Sequence, residues 1–380
     1  MSFTSIGFIC NEYPPCANGG IGTFTREISE ALAERGVNVY VVGIYDDIED
    51  EQKEMINGVH VYRLPSNKGR LGLLANRLAL YRRTKQLIEE FDIQLVETYD
   101  FMGLTAFWPA LKVPLICRLH GSIHYFYDEM GINGTKSSFW KFIEENALRK
   151  CHDIVSVSDY TAQRTNALFG LNRKITTIYN GVAQTDLPQL STQKRELNGG
   201  FKVIFAGSVI KKKGVLQLAK AWKQLSQRFP DAHLYLVGKD TENRVDEIRQ
   251  IINENSFTYL GLMPKNELIA LYHTVDLAIF PSYSEAFSLA PMEAMKEGVP
   301  VIYTTRASGK ELIEDGVEGL LIDPDNIDEI ENAIIKLMTM PELERNRMAQ
   351  KGQKKIETTF NFDTTISKNI DYYQSLVDAK

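Results

Sequence analysis

The chain has 380 residues, 44% of them hydrophobic and 24% charged, with a formal net charge of −6. That is the mix of a folded protein too long for one ordinary core, and it predicts two α/β domains while excluding a disordered or fibrous chain. The acidic balance excludes a general nucleic-acid binder, and no apolar run is long enough to read as a membrane span.

The start, MSFTSIGFICNEYPP, does not read as a secretory signal, so a cytoplasmic protein is expected. SIGFIC predicts a first strand. NGGIG then turns into a helix whose apolar face carries Phe24, Ile28, Ala31 and Leu32, with Gly36 ending it before the strand VNVYVVGI. Asn67–Lys85 mixes leucines with Lys68, Arg70, Arg77, Arg82, Arg83 and Lys85. It reads either as a domain helix with a solvated basic face or as a peripheral contact with anionic lipid at the inner face of the cell membrane. The strands DIQLVET, VPLICRL, DIVSVS and KITTIY complete one doubly wound domain. Cys10, Cys16, Cys117 and Cys151 lack zinc-site spacing and are expected to be free thiols.

The polar stretch AQTDLPQLSTQKRELNGG reads as a linker, after which the alternation restarts with FKVIFAG, HLYLVG, FTYLG, DLAIF and VPVIYT. Helices over 327–338 and 341–357 precede a last one over 363–377 that returns to the first domain. The expected division is residues 1–188 plus 362–380 against 189–361. The two Rossmann-like, doubly wound domains should face across a cleft, with ligands at the carboxyl ends of the strands.

Function is therefore sought in loops after strands. Gly19, Gly20 and Gly22 sit at a helix entrance, where missing side chains let backbone approach a ligand. Glu12 and Tyr13 after the first strand, and Tyr99 and Asp100 after DIQLVET, are positioned to shape an acceptor pocket. His120 ends the run VPLICRLHGS and is expected to act as a neutral imidazole, with His124 an ordinary loop residue. In FPSYSEAFSLAPMEAMKEGVPVI, Glu285 belongs to a loop and Glu293 to the helix that follows, with Pro291 in its first turn and Gly298 at its end. The backbone amides of Phe287, Ser288 and Leu289 would line the helix entrance, a natural seat for a diphosphate. A carboxylate offers two acceptor oxygens to vicinal sugar hydroxyls.

This last stretch resembles the E-x7-E signature of glycosyltransferase family 4 (group 1), retaining enzymes of the GT-B fold. NGGIGTF, RLHGS, IVSVSDYT, IYNGV, FAGSVIKKKGV and LYLVG follow the family order along nearly the whole chain. The resemblance implies that Glu285 contacts donor-sugar hydroxyls, Glu293 holds the nucleotide ribose, His120 lies beside the donor sugar, and Gly20 lies against the donor phosphate and acceptor. In FAGSVIKKKGV, Gly207 and Lys213 match the family's phosphate loop, whereas Ser208 stands where arginine is usual. Lys211 and Lys212 are the neighbouring cations that could compensate. The implied activity is metal-independent, cofactor-free transfer of a hexosyl group, with retention, from a nucleotide sugar to a saccharide or lipid-linked saccharide. A UDP sugar is favoured, GDP-mannose is second, and base selection is expected near Gly238 and Leu260–Met263. Such activity would serve polysaccharide, cell-envelope or glycolipid synthesis. The alternatives are an inactive nucleotide-sugar-binding partner, or an epimerase or phosphorylase of the same shape.

Overall fold

A computed structural model of the chain describes residues 3–15, 19–69, 71–183 and 197–379. It divides into two compact units, one made of Met1–Asn180 with Phe362–Lys380 and the other of Gly181–Asn361. The junction expected at 188/189, and most of the expected linker, lie outside the described residues.

The first unit is built on one sheet. Its strands are β1 (Ser5–Ile9), β2 (Asn38–Tyr45), β3 (Gln52–Ile56), β4 (Val59–Pro65), β5 (Leu95–Tyr99), β6 (Leu115–Leu119), β7 (Asp153–Ser156) and β8 (Thr176–Thr177). Their order is β3-β4-β2-β1-β5-β6-β7-β8, and every neighbouring pair is parallel except β3 with β4. Helices α1 (Gly20–Glu34), α2 (Gly72–Phe91), α3 (Ile123–Glu129), α4 (Thr135–Lys150) and α5 (Asp159–Phe169) connect the parallel strands. Because helices cover both faces, the inner strands are buried along their whole length rather than alternating with exposed positions, and β1 and β5 are buried at every residue. The predicted helix face, Phe24, Ile28, Ala31 and Leu32, packs against Phe8, Val39 and Val41 on one side of the sheet, while Leu80 and Leu87 of α2 pack with Val42 and Val96 on the other.

The β3–β4 hairpin is absent from the sequence reading. Its edge strand, QKEMI, is polar and exposed, so it carries no apolar period. The signal that marks it is the turn: Asn57 and Gly58 both have positive φ, 47° and 82°, which is the pairing a two-residue hairpin demands.

The second unit repeats the plan with β9 (Phe201–Ala206), β10 (Ala232–Val237), β11 (Phe257–Gly261), β12 (Leu277–Phe280), β13 (Val301–Thr304) and β14 (Leu320–Ile322). All pair in parallel, in the order β11-β10-β9-β12-β13-β14. The connecting helices are α6 (Val215–Arg228), α7 (Arg244–Ile251), α8 (Lys265–Tyr272), α9 (Leu289–Lys296), α10 (Gly309–Leu312), α11 (Ile327–Thr339) and α12 (Glu342–Thr359). Trp222 of α6 is fully buried at the centre of this core and satisfies its indole N–H on the Ser256 carbonyl at 3.0 Å.

The chain enters and leaves the second unit through paired segments. Val182 bridges to Asn361 in parallel and donates its N–H to the Phe360 carbonyl at 3.1 Å. The last helix, α13 (Phe362–Asp378), belongs to the first unit. It is fastened there by a fully buried ion pair: Arg118 donates to Glu97 at 2.6 and 3.0 Å and to Asn369 Oδ1 of α13 at 2.6 Å, while the Tyr373 hydroxyl donates to Glu97 at 2.8 Å.

In each sheet the strand order reverses once, between β1 and β5 and between β9 and β12. Such reversals open a crevice at the carboxyl ends of the strands, and the loops there are where ligands of this architecture bind.

Candidate functional site

In the second unit, the loops after β9 and β12 flank the reversal, and backbone geometry locks them together. Gly214 has φ +72°, and a Cβ there would lie 1.8 Å from the Pro281 carbonyl oxygen, so only glycine permits the approach. Tyr283 N–H donates to the Lys212 carbonyl at 2.8 Å. A Cβ on Gly238, at the end of β10, would meet the Gly207 carbonyl oxygen at 1.9 Å, which closes the strand ends in the same way.

That closeness brings the Lys213 ammonium onto the Glu285 carboxylate in a direct ion pair. Glu285 is only 7% exposed. Burial opposes its ionisation, yet the charges of Lys213 and Lys212 and hydrogen bonds from Lys213 and Ser282 outweigh it, holding the carboxyl below its usual range. Lys212 is half-buried; desolvation, reinforced by Lys213 and opposed by Glu285, lowers its ammonium to about 8. Beside them the buried Ser284 hydroxyl has no partner, whereas Ser208 is exposed.

The helix entrance expected at Phe287, Ser288 and Leu289 is present. Helix α9 begins at Leu289, Ser288 is its N-cap, and that side chain makes no capping bond, which leaves the entrance without an internal oxygen from the cap. Phe287 is buried and packs against Phe360 with its ring tilted, the centroids 5.3 Å apart. Glu293 lies one turn further along and pairs with Lys265, the first residue of α8, at 3.1 Å. The two glutamates therefore have different surroundings: Glu285 is sealed between lysines, and Glu293 is partly open to solvent. Gly238 accepts the Tyr259 hydroxyl on its carbonyl at 2.8 Å, and Leu262, beyond β11, is 76% exposed.

In the first unit, the loops after β1, β5 and β6 meet around His120. Its ring lies 4.8 Å from Phe24 and 5.2 Å from Tyr99, and Nε2 is buried without a partner. Desolvation, together with the Arg118 charge, drops its pKa to about 3, so the imidazole is neutral at physiological pH. Asp100 does not open into a pocket. It is 1% exposed, and its two oxygens accept the backbone N–H groups of His120 at 2.8 Å and Gly121 at 3.1 Å. Burial, with the Glu144 charge adding, raises it to about 7, although the bond from His120 pulls the other way.

Tyr13 and Tyr99, expected at the acceptor side, are core residues in the structure. Tyr13 is fully buried, its backbone held by Tyr45 and Arg63, and Tyr99 shares a 2.7 Å hydrogen bond with Thr25. Tyr13 lies in the loop after β1 and Tyr99 is the last residue of β5, and each ring turns inward to fill the space beside α1. Glu12 caps the glycine turn, accepting from Gly19 N–H at 2.9 Å and Gly22 N–H at 3.4 Å, and Gly20 is exposed at the first position of α1. His124 is not a loop residue; it sits in α3, buried, with Nδ1 2.9 Å from Ser137 Oγ.

The residue that sequence reasoning misses is Glu144. Fully buried on α4, it accepts the N–H groups of Met102 at 3.2 Å, Ile123 at 2.8 Å and His124 at 2.9 Å, and with Asp100 it fixes the segment carrying His120. Its one readable mark is an acid on the buried face of α4 beside Ile143, Ala147 and Leu148.

Two doubly wound sheets, each carrying its polar side chains on loops at the strand-order reversal, place the chain in the GT-B class of two-domain α/β proteins. Comparison with known proteins agrees. Residues 189–355 match the family model described as glycosyl transferases group 1, and residues 18–185 match that of glycosyltransferase family 4. The chain belongs to the group 1 glycosyltransferases. It is similar to the glycogen synthase of Mycobacterium tuberculosis, 23% identical over 95% of this chain and 92% of that one. It is also similar to the 2-deoxystreptamine N-acetyl-D-glucosaminyltransferase of Niallia circulans, 22% identical over 84% and 89%. Among solved structures, the sucrose-phosphate synthase of Thermosynechococcus elongatus superposes with a TM-score of 0.81 at 20% identity over 99% of this chain and 100% of that one. HepE of Anabaena, solved with UDP and glucose, gives 0.75 at 19% over 98% and 100%.

Proposed function

We propose that this glycosyltransferase moves a hexosyl group from a UDP sugar to a hydroxyl of a saccharide or lipid-linked saccharide, with retention and without a metal ion. The observation that carries the reading is the Lys213–Glu285 pair beside the entrance of α9. Lysine and helix-entry amides are suited to a diphosphate leaving group, whose charge grows as the glycosidic bond breaks. Glu285, held ionised, is suited to accept hydroxyls of the donor sugar, and Glu293 to accept those of the ribose. Neutral His120 would meet a sugar hydroxyl without repelling positive charge at the anomeric carbon. Ser208 contributes a hydroxyl where the family uses arginine, so Lys213 and Lys212 carry the cationic load.

No carboxylate is assigned as a nucleophile, so we infer a front-face route. The anomeric carbon–phosphate oxygen bond breaks, the acceptor oxygen bonds the same face, and its proton passes to the departing phosphate oxygen. UDP is preferred because HepE was solved with UDP-glucose.

The test is a thermal-shift panel of UDP, GDP and ADP sugars, followed by NMR of the product's anomeric configuration with and without EDTA. A specific donor at about a hundredfold over its Kd stabilises the fold by about 2.7 kcal/mol. A shift with a UDP sugar, an unchanged anomer and EDTA-resistant turnover support the proposal. An inverted product or strict need for a divalent ion overturns the mechanism, and binding without turnover favours the inactive partner.

A further inference from the structure

Eleven large apolar side chains are exposed among the described residues, and eight of them fall between Leu71 and Phe142 in the first unit. Isolated exposed leucines need no explanation, but clustering of this kind marks an interaction surface. Leu71, Leu74 and Leu78 are spaced i, i+3 and i+7 along one face at the start of α2, exposed by 74%, 57% and 44%. On α4, Phe139 and Phe142 are one turn apart and also exposed.

The two helices bracket one segment. Arg77 of α2 donates to the carbonyls of Met102 at 2.6 Å and Gly103 at 3.2 Å, and Gly103 abuts the backbone of Ile143 and Glu144 on α4. Further along α2, Tyr81 packs edge-on against Trp108 at 5.5 Å, and the adjacent Phe107 meets Phe142 at 5.7 Å. The leucine stripe and the phenylalanines thus border a common face.

Its rim is basic. Lys68, Arg82 and Lys85 on the α2 side and Lys136 on the α4 side are exposed, in a chain whose net charge is −6. Around α4 the nearby acids are committed, Glu145 to Arg149 at 2.8 Å and Glu129 and Asp128 to Arg164, whereas Arg82 shares a cavity with Glu49, Asp50 and Glu51, which leaves Lys68, Lys85 and Lys136 as the cations of the rim. The structure also corrects the sequence-based view of this helix. Arg77 is buried in its carbonyl bonds and Arg83 pairs with Glu51 at 2.9 Å, so neither belongs to the basic face.

We propose that this α2–α4 face docks on an anionic lipid bilayer, with the leucines and phenylalanines entering the headgroup–acyl boundary and the lysines meeting lipid phosphate. Anionic lipid complements both components of the surface. A second copy of the chain would not, because a two-fold interface sets the same basic rim against itself.

The test is flotation of the full-length protein with vesicles of phosphatidylcholine alone or mixed with phosphatidylglycerol, comparing wild type with Leu74→Ser/Phe142→Ser. Wild type is expected to float with the mixed vesicles and be released by salt, and the double variant to bind at least about tenfold more weakly. Its melting temperature and donor-induced shift should remain unchanged. No binding to the mixed vesicles, or equal binding by the variant, overturns the proposal. So does sedimentation velocity showing a dimer or a complex with another protein that the double variant dissolves.

Discussion

Lys213 and Glu285 show how much one pair can be asked to do. Removing the cation leaves a carboxylate that is 7% exposed with its closest compensation gone, which typically costs about 3 kcal/mol. Lys213→Met is therefore expected to lower the melting temperature and to reduce turnover on the order of 10²–10³-fold. Lys213→Met/Glu285→Met should recover most of the stability and none of the activity. The folded pKa of Glu285 lies below its unfolded value, so the stability it contributes is present above the unfolded value of about 4.3 and is lost as pH falls below that. Acid melts of wild type and Glu285→Gln should converge there. His120 makes a second prediction. With a pKa of about 3 it cannot give the activity profile a limb near neutrality, whereas Asp100, at about 7, can. Activity should rise through about pH 7 as Asp100 ionises and takes the amides of His120 and Gly121. His120→Asn should keep that limb on its residual activity, and Asp100→Asn should lose it. The reverse assignment in the pH profiles would sink this account.

At the scale of elements, legibility followed the source of each signal. Strands buried on both faces announce themselves as apolar runs, and the segment from Phe280 to Ile302 carries its own punctuation in Pro291 and Gly298, so Glu285 and Glu293 were assigned to loop and helix correctly. The β3–β4 hairpin was missed because an exposed edge strand has no apolar period, although Asn57-Gly58 marks its turn. Tyr13 and Tyr99 show that position at or just past a strand end does not decide whether a ring turns inward. Glu144 was invisible as a ligand for three amides because its partners, Met102, Ile123 and His124, are far from it in sequence. Its contribution to α3 is testable. Burial raises its pKa to about 7, so its unfolded form ionises first, and stability falls as pH rises from about 4 to about 7. Glu144→Gln should flatten that fall in a melting-temperature series across this range, while loosening the amides it held, read as faster hydrogen exchange at Ile123 and His124.

The whole molecule contains two sheets with separate cores, so its unfolding need not be a single step. Calorimetry is expected to resolve two transitions, with a bound nucleotide sugar raising that of residues 181–361 more than the other. Tyr373→Phe should lower the other by about 1 kcal/mol, since it removes one hydroxyl from the buried Arg118–Glu97 group. A donor that shifts both transitions equally would contradict this.

The parallel bridge between Val182 and Asn361 adds something about history and engineering. A unit whose two ends are stapled side by side is topologically a cassette: it can be lifted out of one coding sequence and set into another without asking the host to span a gap. A lineage could then exchange this whole unit as one continuous stretch of gene, leaving the sheet of the other unit untouched. Grafts joined at these two positions are the natural starting point for chimeras.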